Sequence, residues 1–387
     1  NSFDSFFKIG GGGDMKSFLE EEYKLKADPF DSKVSLFPPM AGRKKEKRKW
    51  QQILKERTGQ RGNSFNFIIG DYGLGKSFTL YKIFEEPKDN TGILPILITI
   101  LPEDPVRKFG LNFVQRMFGK FSIDEFKKLI GKVSSANLLR LKETLHEPGV
   151  IFEKIIKGDE LAFAFLRGDR PINAKEMAKL GIVKNLDSTE RVKEYLLAYL
   201  FLLKSAGVDS LLILIDEVEY LFSQMRGAKI SLVFNTLRGF YDLQQSNTKS
   251  IELGETANMI FFFGISEDGW ERLNKLNKRE KAEGGPIQPF MDRKDNIIIL
   301  EPLNEEETKE LIESRLKYDR VKGYSSSKPL VPFSEHFVNY IFELTKGKPR
   351  HIVEKCDRVL LDGLEQKISL ITRAFAKKVF ESHGLPT

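Results

Sequence analysis

Five short apolar runs lie along the chain and predict its sheet. Each run is five to nine residues long, and apolar and polar positions do not alternate within it. Strands that are buried on both faces of a parallel sheet have this pattern. The runs are FNFIIG (65–70), ILPILITIL (93–101), LLILI (211–215), MIFFFGI (259–265) and NIIIL (296–300). The pattern therefore predicts an α/β domain with a parallel sheet.

Helical periodicity fills two long stretches. About a hundred residues separate the second and third runs, and one helix start is indicated at Asp187, with Glu190 three residues later. This stretch is much longer than an ordinary crossover, so we interpret residues 104–205 as a helical insertion. After Pro302 the pattern is purely helical, which predicts a small all-α domain at 303–387.

Two segments near the start differ from the rest. Residues 1–14 join a short aromatic cluster to four consecutive glycines and predict a peptide on a flexible tether. Residues 41–57 carry eight basic and two acidic side chains, and their apolar residues have the spacing of one helix face. The predicted α/β domain spans residues 15–302.

Charge and cysteine content narrow the classes of protein. The chain has 62 Lys+Arg against 55 Asp+Glu, a mild excess that favours a polyanionic partner such as DNA without requiring one. Its single cysteine, Cys356, excludes an internal disulfide. No run approaches the roughly 20 apolar residues that span a bilayer, and the start has no signal-peptide pattern. We expect no membrane partner and a cytoplasmic location.

A phosphate-binding loop follows the first apolar run. Residues 70–77 read GDYGLGKS and match G-x-x-x-x-G-K-[ST] between a predicted strand and a predicted helix. The glycines let backbone N–H groups turn onto phosphate oxygens, and the helix adds its positive end. Lys76 would reach the β- and γ-phosphates, and Ser77 would ligate Mg²⁺. The residues predicted to bind ATP here are Gly70, Asp71, Tyr72, Gly73, Leu74, Gly75, Lys76, Ser77 and Phe78.

An acidic pair ends the third apolar run, in LLILIDEVE. Asp216 would hold the Mg²⁺ shell, and Glu217 would orient and deprotonate the attacking water. Together with the phosphate-binding loop, this pair favours hydrolysis of a nucleoside triphosphate over mere storage. Glu219 and Tyr220 follow as exposed helix-start residues, to which we assign no catalytic role.

Over residues 36–385 the chain resembles the AAA+ ATPases, and within them the origin-recognition and Cdc6 initiators. The sequence PMAGR, ending at Arg43, is similar to the family's nucleotide-edge box. Ser266, after MIFFFGI, occupies the position of the first sensor. FMDRKDNIIILEPL resembles the arginine-finger strand, with Arg293 as the finger, and GKPRHI places Arg350 at the second sensor.

This resemblance implies a P-loop NTPase fold of the AAA+ type: a parallel sheet with a helical insertion, followed by a small all-α lid domain. It also implies ATP and Mg²⁺ as cofactors and a homo-oligomer, with Glu217 acting in cis and Arg293 coming from a neighbouring subunit. Arg272 and Arg279 are rival fingers. Ser266 replaces the more usual Asn or Thr, and its hydroxyl can still hydrogen-bond a phosphate oxygen or water.

A narrower resemblance links the chain to the P-loop ATP-binding proteins of BREX-type phage defence. It is carried by FLRGDRPINAKEMAKLGI (165–182), by AGVDSLLILIDEVEYL (206–221) and by the loop sequence GDYGLGKSFTL. Within the first segment, Arg167, Arg170 and Lys175 form a basic turn that could meet DNA, a partner subunit or only solvent.

The N-terminal peptide resembles the motif with which replication proteins dock into the sliding clamp. Phe3 fills the hydrophobic position, and Phe6 and Phe7 fill the aromatic pair. Residues 1–8 would then bind the clamp. The alternative is that the same rings pack onto the protein's own core, since exposed phenylalanines are costly to solubility.

Two functions follow from these patterns. The first is an ATP-binding and ATP-hydrolysing AAA+ protein that acts as a switch or motor on DNA or a DNA-bound complex, in replication, repair or defence. The second is a nucleotide-dependent scaffold or adaptor with little turnover, which docks to a sliding clamp or a defence partner.

Overall fold

The computed structural model describes the chain as two compact units. The sheet unit comprises Lys49–Ile69 and Thr79–Ile299, and the helical unit comprises Asn1–Arg48, Gly70–Phe78 and Leu300–Thr387. Each unit has a hydrophobic core of its own. Within these spans the structure describes residues 12–31, 40–58, 62–89, 92–100, 108–220, 228–244, 248–281, 287–324 and 328–385.

The sheet unit contains the predicted parallel sheet. Its strands are β1 (Ser64–Ile69), β2 (Ile93–Thr99), β3 (Ser210–Asp216), β4 (Asn258–Ile265) and β5 (Lys294–Ile299). All pair in parallel, in the order β2-β3-β4-β1-β5. The carboxyl ends of β1, β3 and β4 therefore lie at one edge of the sheet. The five strands predicted from the apolar runs are confirmed.

Burial follows position in the sheet. Every residue of β1 and β3 is buried, and β4 is buried from its second residue onward. The outer strands β2 and β5 are only partly buried. Phe65 and Phe67 of β1 pack edge-on and stacked against Phe263 of β4, with ring centroids 5.3 and 5.1 Å apart. The central strands are buried on both faces, as their unbroken apolar runs predict.

Between β2 and β3 the described chain is helical, in agreement with the predicted insertion. The helices are α4 (Phe109–Phe118), α5 (Ile123–Ile130), α6 (Ser135–Leu145), α7 (Glu147–Ile156), α8 (Glu160–Arg167), α9 (Ala174–Leu180) and α10 (Thr189–Ser205). The predicted helix start at Asp187 is wrong by one residue. Ser188 is the N-cap, because its hydroxyl accepts the N–H of Arg191 at 3.4 Å.

The other described helices precede and follow these elements. They are α1 (Gly12–Glu21), α2 (Lys44–Thr58), α3 (Lys76–Glu85), a 3₁₀ turn (Glu86–Asp89), α11 (Ala228–Tyr241), α12 (Thr248–Leu253), α13 (Glu267–Lys281), α14 (Ile287–Met291), α15 (Glu305–Tyr318), α16 (Glu335–Thr345), α17 (Pro349–Glu365) and α18 (Arg373–Ser382). The apolar face predicted for α2 is buried at Trp50, Ile53 and Leu54. Among the described residues, no helix is long and apolar enough to cross a membrane.

The core of the helical unit combines the last four helices with the chain around α1. Leu19, Tyr23, Leu25 and Phe30 are fully buried in the same cluster as residues of α15, α16, α17 and α18. Cys356 is also buried there, as a packing thiol. Residues 15–31 were predicted to belong to the α/β domain, whereas the burial of Leu19, Tyr23, Leu25 and Phe30 ties them to the C-terminal helices.

The packing of the helical insertion should depend on one aromatic side chain, that of Phe126. Phe126 of α5 is fully buried, and its ring lies 5.3 to 6.1 Å from rings on α4, α7, α8 and α10. We expect Phe126→Ala to lower the free energy of unfolding of the sheet unit by about 3–5 kcal/mol, because it removes a large core side chain. Denaturant unfolding measures this change.

The matched control is Val183→Ala, since Val183 is 83% exposed. It should change stability by less than about 0.5 kcal/mol. A loss below about 1 kcal/mol for Phe126→Ala would contradict the central packing role of this ring.

Candidate functional site

The predicted phosphate-binding loop lies in the helical unit, and two of its glycines have a backbone conformation that suits glycine. Gly73 and Gly75 adopt φ of +82° and +91°, in the left-handed region that glycine occupies without strain. A Cβ at Gly75 would meet nothing within 4 Å, so backbone conformation alone demands glycine there. A Cβ at Gly73 would lie 3.3 Å from the Cβ of Arg350. The loop turns without side chains obstructing its N–H groups.

Helix α3 begins at Lys76, directly after the loop. The Lys76 Nζ donates to the Gly70 carbonyl oxygen at 3.0 Å, so the ammonium folds back across the loop. Ser77 is exposed in the first turn of the helix, where unpaired N–H groups and the helix dipole attract anions. Phe78, which follows, is half-buried.

An exposed ion pair joins the loop to the start of α17. The Lys348 Nζ donates to one carboxylate oxygen of Asp71 at 2.8 Å, and the Tyr72 N–H donates to the other at 2.7 Å. The hydrogen bond from Lys348, followed by that from Tyr72, lowers the pKa of Asp71. Asp71 thus attaches the loop to the start of α17.

Arg350, predicted as the second sensor, lies against the loop. Its N–H donates to the Gly73 carbonyl at 3.2 Å, and its guanidinium lies over the Tyr72 ring, 4.7 Å from the centroid, while donating to the Tyr72 hydroxyl. The Nε donates to Glu354 at 2.8 Å, a bond that raises the pKa of Arg350. Tyr72 and Glu354 therefore hold the guanidinium beside the loop.

Arg43 is buried against the loop and bonded to it. Arg43 is only 5% exposed, and its guanidinium donates to the Leu74 carbonyl at 3.1 Å and pairs with Glu46 at 3.5 Å. Burial lowers the pKa of Arg43, and the nearby carboxylates oppose that shift. Arg43 was predicted to bind the nucleotide, and in the structure its contacts are to the protein that shapes the loop.

The sheet unit supplies the predicted acidic pair at the carboxyl end of β3. Asp216 is 8% exposed, and its Oδ1 accepts the Glu217 N–H at 3.0 Å. Glu217 has φ of +59°, which costs a non-glycine residue about 1–2 kcal/mol. A Cβ at Gly264 of β4 would lie 3.0 Å from Asp216 Oδ1, so glycine there makes room for the carboxylate.

Ser266, the predicted first sensor, caps helix α13. Its hydroxyl oxygen accepts the Gly269 N–H at 3.1 Å, and its own N–H donates to Glu219 Oε1 at 3.3 Å. The hydroxyl proton of Ser266 can still be donated, because the cap uses only a lone pair. Glu219 Oε2 is buried without a hydrogen-bond partner among the described residues.

Arg293, the predicted finger, precedes β5 at the amino edge of the sheet. Its Nε and NH2 donate to the two carboxylate oxygens of Asp242 at 2.9 and 2.8 Å, and its guanidinium lies 5.7 Å from the Tyr241 ring centroid. Because a six-residue strand is about 20 Å long, Arg293 is far from the carboxyl edge of its own sheet. The rival fingers Arg272 and Arg279 are exposed on α13.

Other predicted residues lie apart from these groups. Phe3, Phe6 and Phe7 lie outside the described residues, so clamp docking stays a prediction. In the predicted basic turn, Arg170 pairs with both carboxylate oxygens of Glu176 at 2.9 and 2.6 Å, and Lys175 is exposed.

Comparison with known proteins places the chain in a family. The model of the family "BREX system ATP-binding protein BrxC/D" matches residues 156–367, more than half of the chain. The chain belongs to this family. The matched span contains the acidic pair after β3 and Arg350 of the helical unit. No curated protein gives a significant sequence match to this BrxC/D-family chain.

Solved structures of Aeropyrum pernix proteins share the fold. The ORC2 protein, in its ADPNP-ADP complexes, is 13% identical with a TM-score of 0.51 over 91% of this chain and 71% of that one. The ORC1 protein, in complex with DNA, is 10% identical with a TM-score of 0.52 over 92% and 69%. The BrxC/D-family chain has the AAA+ P-loop fold that the sequence motifs imply.

Sequence reasoning missed two residues that shape the site of the BrxC/D-family chain. Gly264 lies in the otherwise apolar run MIFFFGI, and a glycine inside a strand signals the close approach of another group, here the Asp216 carboxylate. Lys348 lies two residues before Arg350 in GKPR, but its bond to Asp71 spans 277 residues and leaves no local signal.

Arg43 generates a stability prediction. We expect Arg43→Met to cost about 1–3 kcal/mol of unfolding free energy, because the buried Leu74 carbonyl loses its charged donor. Arg43 has φ of +59°, and Met keeps the same backbone strain, so the change isolates the guanidinium. Denaturant unfolding gives the measurement.

Lys44→Met is the control for this change. Lys44 is the next cation along the chain; its side chain is 77% exposed, and its ammonium lies 3.6 Å from a carboxylate oxygen of Glu310. Its loss should cost less than about 0.5 kcal/mol. Equal losses in the two variants would show that Arg43 acts only as a surface charge.

Proposed function

We propose that this chain binds ATP with Mg²⁺ and hydrolyses it slowly, as a switch or motor that acts on DNA or a DNA-bound complex. The main support for the proposal is the unusual backbone conformation at both predicted motifs. Gly73 and Gly75 turn the phosphate-binding loop through left-handed φ, and Glu217 keeps a strained left-handed φ beside Asp216. Strain of this kind is concentrated at functional sites.

Phosphate binding follows from the loop and the start of α3. The loop offers backbone N–H groups, and the first turn of the helix adds the positive end of the helix dipole. Lys76, now bonded to the Gly70 carbonyl, would exchange that neutral acceptor for charged phosphate oxygens. Arg43 would keep the Leu74 segment in place while this happens.

The donor chemistry of two residues fits Mg²⁺. Ser77 offers an exposed hydroxyl, and Asp216 offers a carboxylate with one oxygen bonded to the Glu217 N–H. Mg²⁺ prefers oxygen ligands and is commonly held by one or two carboxylates together with substrate phosphates. When bound, the ion would neutralise charge on the β- and γ-phosphates.

Glu217 would act as the base that orients and deprotonates the attacking water. The bond from the Glu217 N–H to Asp216 Oδ1 links the backbone of the proposed base to the carboxylate of the proposed metal ligand. Ser266 would donate its free hydroxyl proton to a phosphate oxygen or to the attacking water. Arg350 would have to leave the Tyr72 ring to act as a sensor.

Action on DNA is supported by the net charge of +7 and by the fold shared with the DNA-bound ORC1 protein. A single-turnover ATPase assay with and without duplex DNA tests it. Stimulation by DNA would support a switch or motor. Turnover that DNA leaves unchanged would contradict this part of the proposal and leave ATP hydrolysis in place.

The scaffold with little turnover is the second candidate, favoured by the Arg293 pairing. A finger must be free to reach a neighbouring site, and here both carboxylate oxygens of Asp242 hold the guanidinium. A scaffold would bind ATP and show no turnover at any protein concentration. Docking of residues 1–8 to a sliding clamp belongs to this candidate, and their deletion should abolish clamp binding while ATP binding persists.

Glu217→Gln tests the catalytic base. We expect the variant to keep ATP affinity and to lose at least about a hundredfold in turnover, because an amide cannot accept the proton. Fluorescent-nucleotide binding and phosphate release measure the two quantities. Glu219→Gln is the control, since its amide oxygen can still accept the Ser266 N–H. A wild-type rate for Glu217→Gln would make the assignment wrong.

Mixing variants tests whether the site is shared between subunits. Glu217→Gln and Arg293→Ala should each be nearly inactive alone, whereas a mixture should regain turnover at interfaces that combine an intact Glu217 with an intact Arg293. Asp242→Asn is the control, because it weakens the same intramolecular pair and keeps the arginine. An inactive mixture, or an equal loss in Asp242→Asn, would refute the finger role.

A further inference from the structure

A cavity in the sheet unit is lined by several positively charged side chains. Its volume is about 570 Å³, within the range of small-ligand pockets. Among the described residues, its lining includes three cationic side chains and two amides and no carboxylate. These polar residues are Asn112, Gln115, Arg116, Lys120 and Arg167. None of the residues predicted to bind the nucleotide is among the described residues that line the cavity.

One helix supplies most of this lining because of its period. Asn112, Gln115, Arg116 and Gly119 are spaced at i, i+3, i+4 and i+7, so they share one face of α4 and its C-cap. The opposite face carries buried residues such as Phe113 and Met117. The burial of the apolar face therefore turns the polar face towards the cavity.

The opposite wall places Arg167 at the last position of α8. Its guanidinium lies 4.6 Å from the Phe163 ring centroid and pairs with Asp169, while its Nε is buried without a hydrogen-bond partner among the described residues. Gly168 then ends the helix with φ of +69°. A Cβ at Gly168 would lie 2.3 Å from Gln115 Nε2, so only glycine lets this amide stay where it is.

The Leu-Arg-Gly segment singled out in the sequence thus has a physical role. Its arginine lines the cavity, and its glycine admits the Gln115 amide to the neighbouring wall. Lys120 adds an exposed ammonium that forms no ion pair with the described part of the chain. Arg170 and Lys175, the other cations of the predicted basic turn, do not line the cavity. The charges converge on one pocket rather than forming a stripe.

The cavity lies on the β2 side of the sheet. Ile98 and Thr99, at the end of β2, form its strand side, and Arg116 donates to the Thr99 carbonyl at 3.4 Å. Strands β3 and β4 separate β2 from β1, which puts the ends of β2 and β1 about 14 Å apart. Within the sheet, however, Thr99 of β2 pairs directly with Asp216 of the neighbouring strand β3.

We propose that this cavity binds the phosphate group of a small phosphorylated ligand, such as a mononucleotide or pyrophosphate. Guanidinium and ammonium groups form charge-assisted hydrogen bonds with phosphate oxygens, and the two amides add neutral donors. A continuous nucleic-acid backbone would need a row of cations that continues beyond the pocket, and the cations of the lining form no such row. This site goes beyond the proposed ATPase and does not depend on it.

The test uses the full chain carrying Lys76→Ala, which weakens phosphate binding at the loop. Calorimetric titration with inorganic pyrophosphate, and separately with AMP, should then reveal one remaining site per chain. Adding Arg167→Gln or Lys120→Gln should weaken that binding at least about tenfold, because each removes a charged donor. Arg170→Gln is the matched control and should leave the affinity unchanged, since Arg170 pairs with Glu176.

Each result decides the proposal. Because Lys120 is exposed and unpaired within the described chain, its substitution cannot act through folding, and unfolding temperatures check Arg167→Gln. Absence of pyrophosphate and AMP binding, or affinities unchanged in both variants, would overturn the site. Arg167-dependent binding of an unphosphorylated duplex oligonucleotide without binding of pyrophosphate or AMP would also overturn it, in favour of a nucleic-acid surface. Because Lys76→Ala already disables the loop, failure of the ATPase proposal would leave these outcomes unchanged.

Discussion

Parallel strand pairing is the constraint on which the rest of the sheet unit depends. Parallel strands all end at the same edge, so any polar residues that follow buried strands are brought together whatever their separation in sequence. Asp216 ends β3 and Ser266 follows β4 in this way, although the two residues are 50 positions apart in the sequence. Burial of the central strands on both faces holds this edge rigid, and the strained Glu217 backbone can persist only on such a support.

The helical unit has contacts of two very different strengths. The Asp71–Lys348 and Arg350–Glu354 pairs are exposed, and exposed pairs contribute roughly 0–1 kcal/mol. The Arg43 bond to the Leu74 carbonyl is buried, and its loss leaves an unsatisfied acceptor. The bond to Arg43 therefore holds the loop strongly, whereas the exposed side chains around the loop can change partners at a small cost in free energy.

Local patterns in the sequence predicted much of this structure. The unbroken apolar runs identified all five strands, because burial on both faces removes alternation. The glycines of the loop predicted a tightly turned backbone, and Gly73 and Gly75 have left-handed φ values. The four C-terminal helices followed from their period, and α15 has the capping box at Asn304 and Glu307 that helix starts favour.

The remaining features depend on residues that meet only after folding. Arg293 and Asp242 are 51 residues apart, and no local pattern marks one as the partner of the other. The polar face of α4 could be read as solvated until β2 and α8 are placed around it. The position of residues 15–31 was missed because burial of Leu19 and Tyr23 depends on helices some 300 residues later in the chain.

The hydrogen bond from the Arg350 N–H to the Gly73 carbonyl has a consequence for interpreting variants. It joins main-chain atoms, so every replacement of Arg350 except proline retains it. The start of α17 would stay attached to the loop in Arg350→Ala, with only the guanidinium removed. Substitution at this position therefore separates the attachment of α17 to the loop, which is a property of the main chain, from any effect of the guanidinium.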